Sequence, residues 1–465
     1  MKTSITSRSL KLLSLATQVG RKELAQNLKE QFKKGLDEIT SGRAKTRIEQ
    51  ARLIVEHLSQ LKGAALKAGQ LLSLDASDYF PPEAVELLSK LQGQADPVDW
   101  AVLDAVVRED LGEGYQKNFA ELDSRPAASA SIGQVHRGRL PAEKGGIEVA
   151  VKIQYPGVAS SIDSDLSILK TLAWALLNIS GRKIELDELF SELSLVLKQE
   201  TDYFLEAKNM SEFKERLKDR PEFVVPEPIS ELSSKRVLCM TWQSGLTIND
   251  WLKKNPSQAD RNKIAAWVLD LYCLEFFQWG FVQTDPNFAN FLIQEDPLRL
   301  VLLDFGATLR YPDDFRRSYI ELLTSLSSLD RQKIVRNFMS FGLIDERESP
   351  ETLDLFAEFL LLSLEPFQPA QQPFRFRNSD YAQRSRDLGL RFTGSLKFSP
   401  PPRKVIFLHR KLGGIFTLLK RLDVELDLQP YWNSMVGTEV GAPLEQMVDS
   451  TTLTTNATPT GKPKS

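Results

Sequence analysis

QTDPNFAN at residues 283–290 stands between VAVK at 149–152 and LLDFG at 302–306, and these segments together predict how the chain folds. VAVK has the β-branched composition of a strand and ends in a lysine. VAVK or LLDFG alone is a weak signal, because both can occur in an ordinary buried strand. All three in this order are hard to attribute to chance, and their polar residues suit phosphate and metal chemistry.

The spacing of the polar residues resembles that of the nucleotide-handling segments of protein kinases. Asp285 and Asn290 are five positions apart, as in the kinase catalytic loop HRDxxxxN, and Asp304 follows Asn290 by fourteen, which leaves room for a hairpin. The resemblance predicts that Lys152 grips the phosphates of ATP, and that Asp285 occupies the catalytic-base position. Asp304 and Asn290 are the predicted ligands of Mg2+. The alternative for Lys152 is a solvated strand lysine.

The loop around Asp285 differs from that of ordinary protein kinases. Gln283 and Thr284 replace the HR pair, and Pro286 and Asn287 follow the aspartate, so the usual lysine two places on is missing. The segment after LLDFG, ATLRYPDDFRRSYIELL, enters a predicted helix almost at once and contains no APE motif. Phosphorylation of proteins is therefore disfavoured, while ATP hydrolysis and transfer to a small molecule both remain open.

The predicted phosphate-covering loop is alanine-rich. PAASASIGQVH at 126–136 stands where protein kinases carry GxGxxG. Side chains at the first glycine positions restrict the backbone and are expected to change how nucleotide binds. A plain β-turn is the alternative. The predicted nucleotide-binding residues of this loop are Ala128, Ser129, Ala130, Ser131 and Gly133.

A buried lysine that grips phosphate needs a carboxylate to hold it in place. Two candidates for Lys152 lie about 50 residues later in QETDYFLEAKNM, namely Glu200 and Glu206. Both are expected on one helix.

Composition limits the class of protein. The chain has 465 residues and 42% hydrophobic residues, enough for two or three domains. A net charge of -3 gives no basic footprint, so nucleic acid is not an expected partner. Cys239 and Cys273 lie in apolar segments and fit a reducing compartment. Three scattered histidines argue against a zinc site.

No stretch of the sequence reaches the roughly 18 to 20 apolar residues that a membrane span needs. The first 22 residues are basic and lack both a long apolar core and a cleavage site, which excludes a secretory signal. They predict a basic amphipathic helix, with an organelle transit peptide as the alternative. The most apolar stretch, Leu166–Ser180, is too short to cross a bilayer and contains Lys170.

The pattern along the chain predicts five parts. These are a basic N-terminal segment (1–42), a helical extension (43–118), a mostly β lobe with a helical insert (119–245), a mostly helical lobe (246–436) and a disordered tail (437–465). Strands are predicted at 131–140, 147–154, 223–229 and 236–242, and helix from 160 to 217. After Thr247 only a hairpin at 291–293 and 300–303 interrupts the helical pattern.

The departures from protein kinases form a pattern of their own, and the chain resembles the UbiB/AarF family of atypical kinase-like proteins. That family carries KxGQ, alanine-rich and ExD motifs. They match Lys67-Ala68-Gly69-Gln70, PAASASIGQ and Glu200-Thr201-Asp202 here, and the match covers residues 43–432. The resemblance implies an α+β, two-lobed protein-kinase-like fold with an N-terminal helical extension. It also implies that Lys67 and Gln70 lie over the substrate cleft, with Lys67 paired to Glu200 and Lys152 to Glu206.

The resemblance also implies a function. It predicts a Mg2+-dependent ATPase that supports the biosynthesis of ubiquinone (coenzyme Q) or another isoprenoid lipid. The alternatives are a kinase for a lipid precursor and a non-catalytic, nucleotide-dependent scaffold of a biosynthetic complex. Implied partners are ATP, a lipid or isoprenoid quinone precursor, other proteins of such a complex and a membrane surface bound peripherally. The expected location is the cytoplasm or the face of the inner membrane, mitochondrial in a eukaryote.

Overall fold

The computed structural model describes residues 98–130, 132–180, 186–376, 380–398 and 403–437. The predicted segment 1–42, the part of 43–118 before residue 98 and the tail from residue 438 lie outside the described residues. The helices are α1 (Trp100–Leu111), α2 (Val158–Ser180), α3 (Leu186–Glu200), α4 (Tyr203–Arg216), α5 (Ile248–Lys253), α6 (Gln258–Cys273), α7 (Asp313–Leu326), α8 (Arg331–Ser340), α9 (Pro350–Ser363), α10 (Tyr381–Ser395), α11 (Arg403–Leu422) and α12 (Gln429–Gly437). The strands are β1 (Glu121–Ala130), β2 (Gly133–Arg139), β3 (Glu148–Gln154), β4 (Phe223–Val224), β5 (Val237–Thr241), β6 (Leu246–Thr247), β7 (Phe281–Gln283), β8 (Phe291–Glu295), β9 (Leu298–Leu302), β10 (Thr308–Arg310), β11 (Phe374–Arg375) and β12 (Glu425–Leu426).

Lys152 lies in the middle of the N-terminal sheet. Strands β1, β2, β3 and β5 form this sheet in that order, and every neighbouring pair is antiparallel. The pairing of β2 with β3 confirms the antiparallel strands predicted at 131–140 and 147–154, within the residues described. Lys152 stands opposite Val135 on β2 and Leu238 on β5. Strand β3 is buried along almost its whole length, which explains its continuous apolar run.

The segment 223–229 does not complete the N-terminal sheet, and that prediction is wrong. Its strand β4 covers only Phe223–Val224 and pairs in parallel with β9, in a second sheet of order β4-β9-β8-β6. Pro226 and Pro228 lack a backbone N–H and so cannot continue a ladder. An isolated bridge from Pro228 to Met240 and a hydrogen bond from the Glu227 N–H to the Thr241 hydroxyl link the segment to β5.

The predicted hairpin after Thr247 is confirmed as β8 and β9, which pair in antiparallel fashion. The C-terminal part nevertheless contains more strands than predicted. Strand β7 pairs with β10, and β11 pairs with β12. Each of these strands has two or three residues, which is too short for a period-two pattern to show in the sequence.

The predicted helical stretch 160–217 consists of three helices among the described residues. Helices α2 and α3 pack against each other, and Lys198 forms an ion pair of 2.8 Å with Asp163. Helix α3 ends at Glu200, and α4 begins at Tyr203. The carboxylate of Asp202 caps α4 by accepting hydrogen bonds from the backbone N–H groups of Phe204 and Leu205, at 3.1 and 3.2 Å. The Glu-Thr-Asp motif is therefore a helix break.

A single π-helical turn, Leu274–Trp279, joins α6 to β7. The guanidinium of Arg316 donates hydrogen bonds to the carbonyls of Phe277 and Gln278 at the end of this turn, at 2.9 and 3.1 Å. Gly280 follows with a φ of 60°, and a Cβ there would lie 2.6 Å from the carbonyl oxygen of Tyr311. The turn thus sets the direction in which the chain enters β7 and the Asp285 loop.

No helix within the described ranges has both the length and the apolar composition that crossing a bilayer requires. Helix α2 contains the apolar stretch Leu166–Ser180. Within it, Lys170 forms an ion pair with Asp187 of α3.

His136 on β2 gives the fold a pH dependence. Its side chain is buried, and Nδ1 lies 2.9 Å from the carbonyl oxygen of Asp123. Burial lowers the pKa of His136, although that carbonyl acts in the opposite direction. Below the ordinary histidine pKa of about 6.5 the unfolded chain takes up a proton that the folded protein resists, so the free energy of unfolding falls as the pH is lowered.

We expect His136→Asn, which keeps a donor toward Asp123, to flatten this part of the pH dependence. Urea unfolding of both proteins between about pH 7.5 and pH 5 measures it. Titratable groups present in both proteins contribute equally and cancel in the comparison. Equal slopes of the free energy of unfolding against pH would contradict the assignment to His136.

Candidate functional site

Lys152 is buried and holds two carboxylates. Its Nζ lies 2.7 and 2.9 Å from the two carboxylate oxygens of Glu206 and 3.3 Å from Oδ2 of Asp304. The predicted ion pair between Lys152 and Glu206 is therefore present. The Nζ also lies 5.1 Å from the ring centroid of Tyr203, within the range of a cation–π contact. The sequence did not indicate Tyr203 as part of this group.

The Lys152 cation offsets part of the cost of burying the two carboxylates, which repel each other. Burial favours the neutral form of Lys152, but the negative charges of Asp304 and Glu206 outweigh it and raise the pKa of Lys152 well above its ordinary value. Burial raises the pKa of Glu206 to about 7, and the Lys152 cation acts in the opposite direction. Removing Lys152 would leave the buried Glu206 without its counter-ion, whereas loss of Asp304 would leave Lys152 paired with Glu206.

One face of α4 also fixes the residue after Asp304. The Phe305 backbone N–H donates to the Glu206 carboxylate, and Asn209 donates from Nδ2 to the Phe305 carbonyl oxygen at 3.1 Å. The Phe305 ring is buried, 4.9 Å from the ring of Phe213. Glu206, Asn209 and Phe213 are spaced three and four apart and thus share a helix face. That spacing was readable in the sequence, but nothing there pointed to Phe305 as the partner.

The β8–β9 hairpin brings Asn290 and Asp304 to one end of the second sheet. Asn290 precedes β8, Asp304 follows β9, and the backbone N–H of Leu303 donates to the Asn290 carbonyl oxygen at 3.0 Å. Asp304 accepts a hydrogen bond from the Gly306 N–H on Oδ1, at 3.0 Å. In the described part of the chain, Asn290 has a buried Nδ2 that lacks a hydrogen-bond partner. A carboxylate and an amide at the same end of this sheet offer the oxygen ligands that Mg2+ prefers, with Oδ1 as the ligand atom of Asn290.

The pairing of β7 with β10 places Asp285 beside the same segment. Thr284 donates to the carbonyl oxygen of Ala307 from its backbone N–H and its hydroxyl, at 2.8 and 2.9 Å. Asp285 follows directly, is 7% exposed and accepts a hydrogen bond from the Asn287 N–H at 3.2 Å. The loop and the Asp304 segment are therefore held together by backbone pairing.

Glu200 reaches this site from a different helix than predicted. Glu200 ends α3 whereas Glu206 lies in the first turn of α4, so the expectation of one shared helix is wrong. A Cβ added to Gly306 would lie 3.4 Å from Asp304 Oδ1, 3.6 Å from Glu200 Cγ and 3.7 Å from Glu206 Oε2. Three carboxylate side chains thus converge on Gly306. Lys67 and Gln70, the predicted cover of the site, lie outside the described residues.

The described residues thus bring Lys152 between two acids, with the Asp285–Asn290 loop beside Asp304. The model of the ABC1 atypical kinase-like domain matches residues 90–338. The chain belongs to the ABC1 atypical kinase-like family. The predicted resemblance to UbiB/AarF proteins is confirmed, as is the mixed α+β kinase-like fold with an N-terminal antiparallel sheet and a helical C-terminal part. Membership implies ATP-dependent phosphoryl transfer or ATP hydrolysis.

Relatives of the ABC1 family cover most of this chain. "Atypical kinase COQ8, mitochondrial" of Saccharomyces cerevisiae is 35% identical over 428 residues, which are 90% of this chain and 82% of the yeast protein. "Atypical kinase COQ8B, mitochondrial" of Danio rerio is 34% identical over 80% of this chain, which spans 58% of the zebrafish protein's length. A solved structure of Rv3197 with erythromycin, from Mycobacterium tuberculosis, has the same fold, with a TM-score of 0.56 and 24% identity over 88% of this chain and 100% of that one.

The alanine-rich segment of this ABC1 protein is the end of a hairpin. Ala128, Ser129 and Ala130 lie on β1, where Ala130 pairs with Gly133 on β2. Ser131 lies outside the described residues. A Cβ on Gly133 would lie 2.3 Å from the carbonyl oxygen of Ile153 and 2.9 Å from the Tyr203 hydroxyl. Gly133 is thus required by close packing within the sheet, whatever its contact with nucleotide.

Helix α11 packs on the Asp285 loop through Gly414. A Cβ on Gly414 would lie 2.3 Å from Cβ of Pro286, whereas one on its neighbour Gly413 would have no heavy atom within 4 Å. Only the absence of a side chain at Gly414 allows this approach. The sequence showed two adjacent glycines in α11 but could not show which of them is in contact.

One added methyl group should therefore have opposite effects at these two adjacent positions. We expect Gly414→Ala to lower the free energy of unfolding by about 1–3 kcal/mol, because helix and loop must separate. Gly413→Ala is the matched control and should raise it by about 0.5–1 kcal/mol through helix propensity alone. Urea unfolding measures both, and equal shifts would contradict the Gly414 contact.

Proposed function

We propose that this protein is a Mg2+-dependent ATPase of the ABC1 family that acts in the biosynthesis or handling of ubiquinone or another isoprenoid lipid. The observation that carries the proposal is the buried Lys152, held by Glu206 and Asp304 at 2.7 and 3.3 Å. A lysine fixed in this way presents its charge to phosphate oxygens.

The proposal gives each site residue a role. Lys152 binds phosphate, with Glu206 holding its side chain, and Asp285 orients the attacking water. Asn290 and Asp304 hold Mg2+, which when bound neutralises charge on the phosphate oxygens. The backbone and hydroxyl groups of the alanine-rich hairpin, residues 128–133, cover the nucleotide. Lys67 and Gln70, with Glu200 as the partner of Lys67, gate access to the site, as the resemblance to UbiB/AarF proteins implies.

The surroundings of Asp285 favour water as the acceptor. Helix α7 begins nine positions after Asp304, which leaves no extended segment for docking a peptide. A crevice beside Asp285, lined mostly by apolar side chains such as Leu271, Phe288 and Ile415, has a volume of about 20 Å³. That is too small for a lipid acceptor. Transfer to a lipid precursor would need a larger acceptor pocket at the same place.

The lipid and membrane parts of the proposal rest on the resemblance to the UbiB/AarF family. Peripheral binding to an anionic surface would use the basic residues near the N-terminus together with the apolar stretch in α2. Two of the matched relatives have mitochondrial in their names, which supports a mitochondrial location if this chain is eukaryotic.

Phosphate release from Mg-ATP by the purified protein tests the proposal, with and without anionic liposomes that contain an isoprenoid quinone. We expect slow release that the liposomes increase, whereas neutral liposomes leave it unchanged. Label from γ-labelled ATP on an extracted lipid would instead establish a lipid kinase. Nucleotide binding without release of phosphate under any condition would instead support a non-catalytic, nucleotide-dependent scaffold of a biosynthetic complex.

A further inference from the structure

Helix α11 supplies buried positive charge to the floor of the Asp285 loop. Lys411 forms an ion pair with Glu275 on the π-helical turn, and both side chains are almost fully buried. The same Glu275 carboxylate accepts a hydrogen bond from the backbone N–H of Gln283, two positions before Asp285. Through Gly414, α11 also contacts Pro286, one position after Asp285. Helix α11 thus contacts the loop directly at Pro286, after Asp285, and indirectly through Glu275 at Gln283, before Asp285.

The neighbouring residue, Arg410, faces Asp285 itself. Its side chain is 4% exposed, and its Nη2 lies 4.0 Å from Oδ1 of Asp285. Within the described ranges, its buried Nε has no hydrogen-bond partner. A guanidinium stays charged at any pH a protein encounters, and burying it is costly unless a nearby anion compensates. Asp285 is an anion at ion-pair distance.

The position of Arg410 fills a gap noted in the sequence. Protein kinases carry an arginine directly before the catalytic aspartate, and many carry a lysine two places after it. Here Thr284 and Asn287 occupy those two positions and bring no charge. Arg410, 125 positions further along the chain, brings a cation beside Asp285 from another helix.

We propose that Arg410 is a positioning residue for Asp285 and that its buried positive charge, at ion-pair distance, holds the carboxylate in the orientation that activates the attacking group. The expected effect on rate rests on the proposed function. The expected effect on the conformation of the Asp285 loop rests only on the ion-pair geometry. In the proposed function Asp285 acts in the reaction step, whereas Lys152 and the metal held by Asp304 bind the nucleotide. A misplaced Asp285 would therefore lower turnover and leave nucleotide affinity nearly unchanged.

The test compares Arg410→Gln, Arg410→Lys and the exposed Arg421→Gln on the same helix. We expect Arg410→Gln to lower kcat for phosphate release by about 10- to 100-fold through misplacement of Asp285. The KM for ATP and the affinity for Mg-ADP should stay within about twofold, a difference of about 0.4 kcal/mol. Arg410→Lys, which keeps a positive charge, should recover most of kcat, and Arg421→Gln should match the parent protein.

Hydrogen–deuterium exchange separates this inference from the proposed function. Faster exchange confined to residues 284–290 in Arg410→Gln, restored in Arg410→Lys, supports the positioning role even if the parent protein releases no phosphate. In that case the ATPase proposal fails alone. Unchanged exchange and unchanged kcat would overturn the role of Arg410, and so would a loss that Arg410→Lys does not recover. If Arg410→Gln fails to fold, Arg410→Lys is compared with Arg421→Gln in exchange and in kcat. A change in Arg410→Lys confined to residues 284–290 would support the positioning role. A purely structural defect would raise exchange throughout the chain.

Discussion

Asp304→Asn should reduce phosphate release from Mg-ATP by about 10³-fold, because several kcal/mol of charge stabilisation by the metal is lost with the carboxylate. The amide is nearly isosteric with the carboxylate and can still accept the hydrogen bond that Gly306 donates at 3.0 Å. The fold is therefore expected to persist. Nucleotide affinity should lose its dependence on Mg2+, which a titration with ATP in the presence of Mg2+ or EDTA measures.

Asp314→Asn is the matched control for this variant. Asp314 lies on the exposed surface of α7 and undergoes the same chemical change. We expect parent-like turnover and parent-like dependence on Mg2+ from it. Turnover that survives in Asp304→Asn, at equal folded protein, would remove Asp304 from the metal site.

Glu275→Gln should lower the free energy of unfolding by about 3–5 kcal/mol, because it leaves the ammonium of Lys411 buried without its counter-ion. The Lys411 side chain is 7% exposed and that of Glu275 is 1% exposed. Burial lowers the pKa of Lys411 even with Glu275 present, so loss of the carboxylate would drive the lysine toward its neutral form. The Gln283 N–H would also lose a charged acceptor. Urea unfolding gives the free-energy difference.

The double variant Glu275→Gln/Lys411→Met separates the ion pair from its surroundings. We expect it to be more stable than Glu275→Gln, since an apolar replacement removes the uncompensated charge. Glu215→Gln provides a surface comparison, because Glu215 pairs with Lys218 at 2.6 Å with both side chains exposed. It should leave stability unchanged. A double variant no more stable than Glu275→Gln would contradict the ion-pair explanation.

The parts of the site that the sequence predicted are those encoded in short segments. Lys152 could be placed on a strand because its β-branched neighbours are local, and the β8–β9 hairpin because its length was fixed between Asn290 and Asp304. Both predictions depend on residues within about 15 positions of each other. Their roles toward nucleotide and metal stay predictions.

The remaining features depend on contacts between distant parts of the chain. Strand β4 contains apolar residues that suit either sheet, and only the prolines after Val224 and the position of β9 decide which one it joins. Predicting the helix break after Glu200 would have required recognising Asp202 as a helix cap, although good helix formers stand on both sides of it. Arg410 lies in a segment of ordinary helical composition, and no local pattern ties it to Asp285.

Helix α4 makes the two halves of the site interdependent. The same short helix holds Lys152 of the N-terminal sheet through Glu206 and Phe305 of the C-terminal part through Asn209. Tyr203 and Phe213 of the same helix add ring contacts to Lys152 and to Phe305. A displacement of α4 would therefore disturb the Lys152 side chain and the Phe305 backbone together, although one lies on the N-terminal sheet and the other follows the second sheet, 153 positions later in the chain.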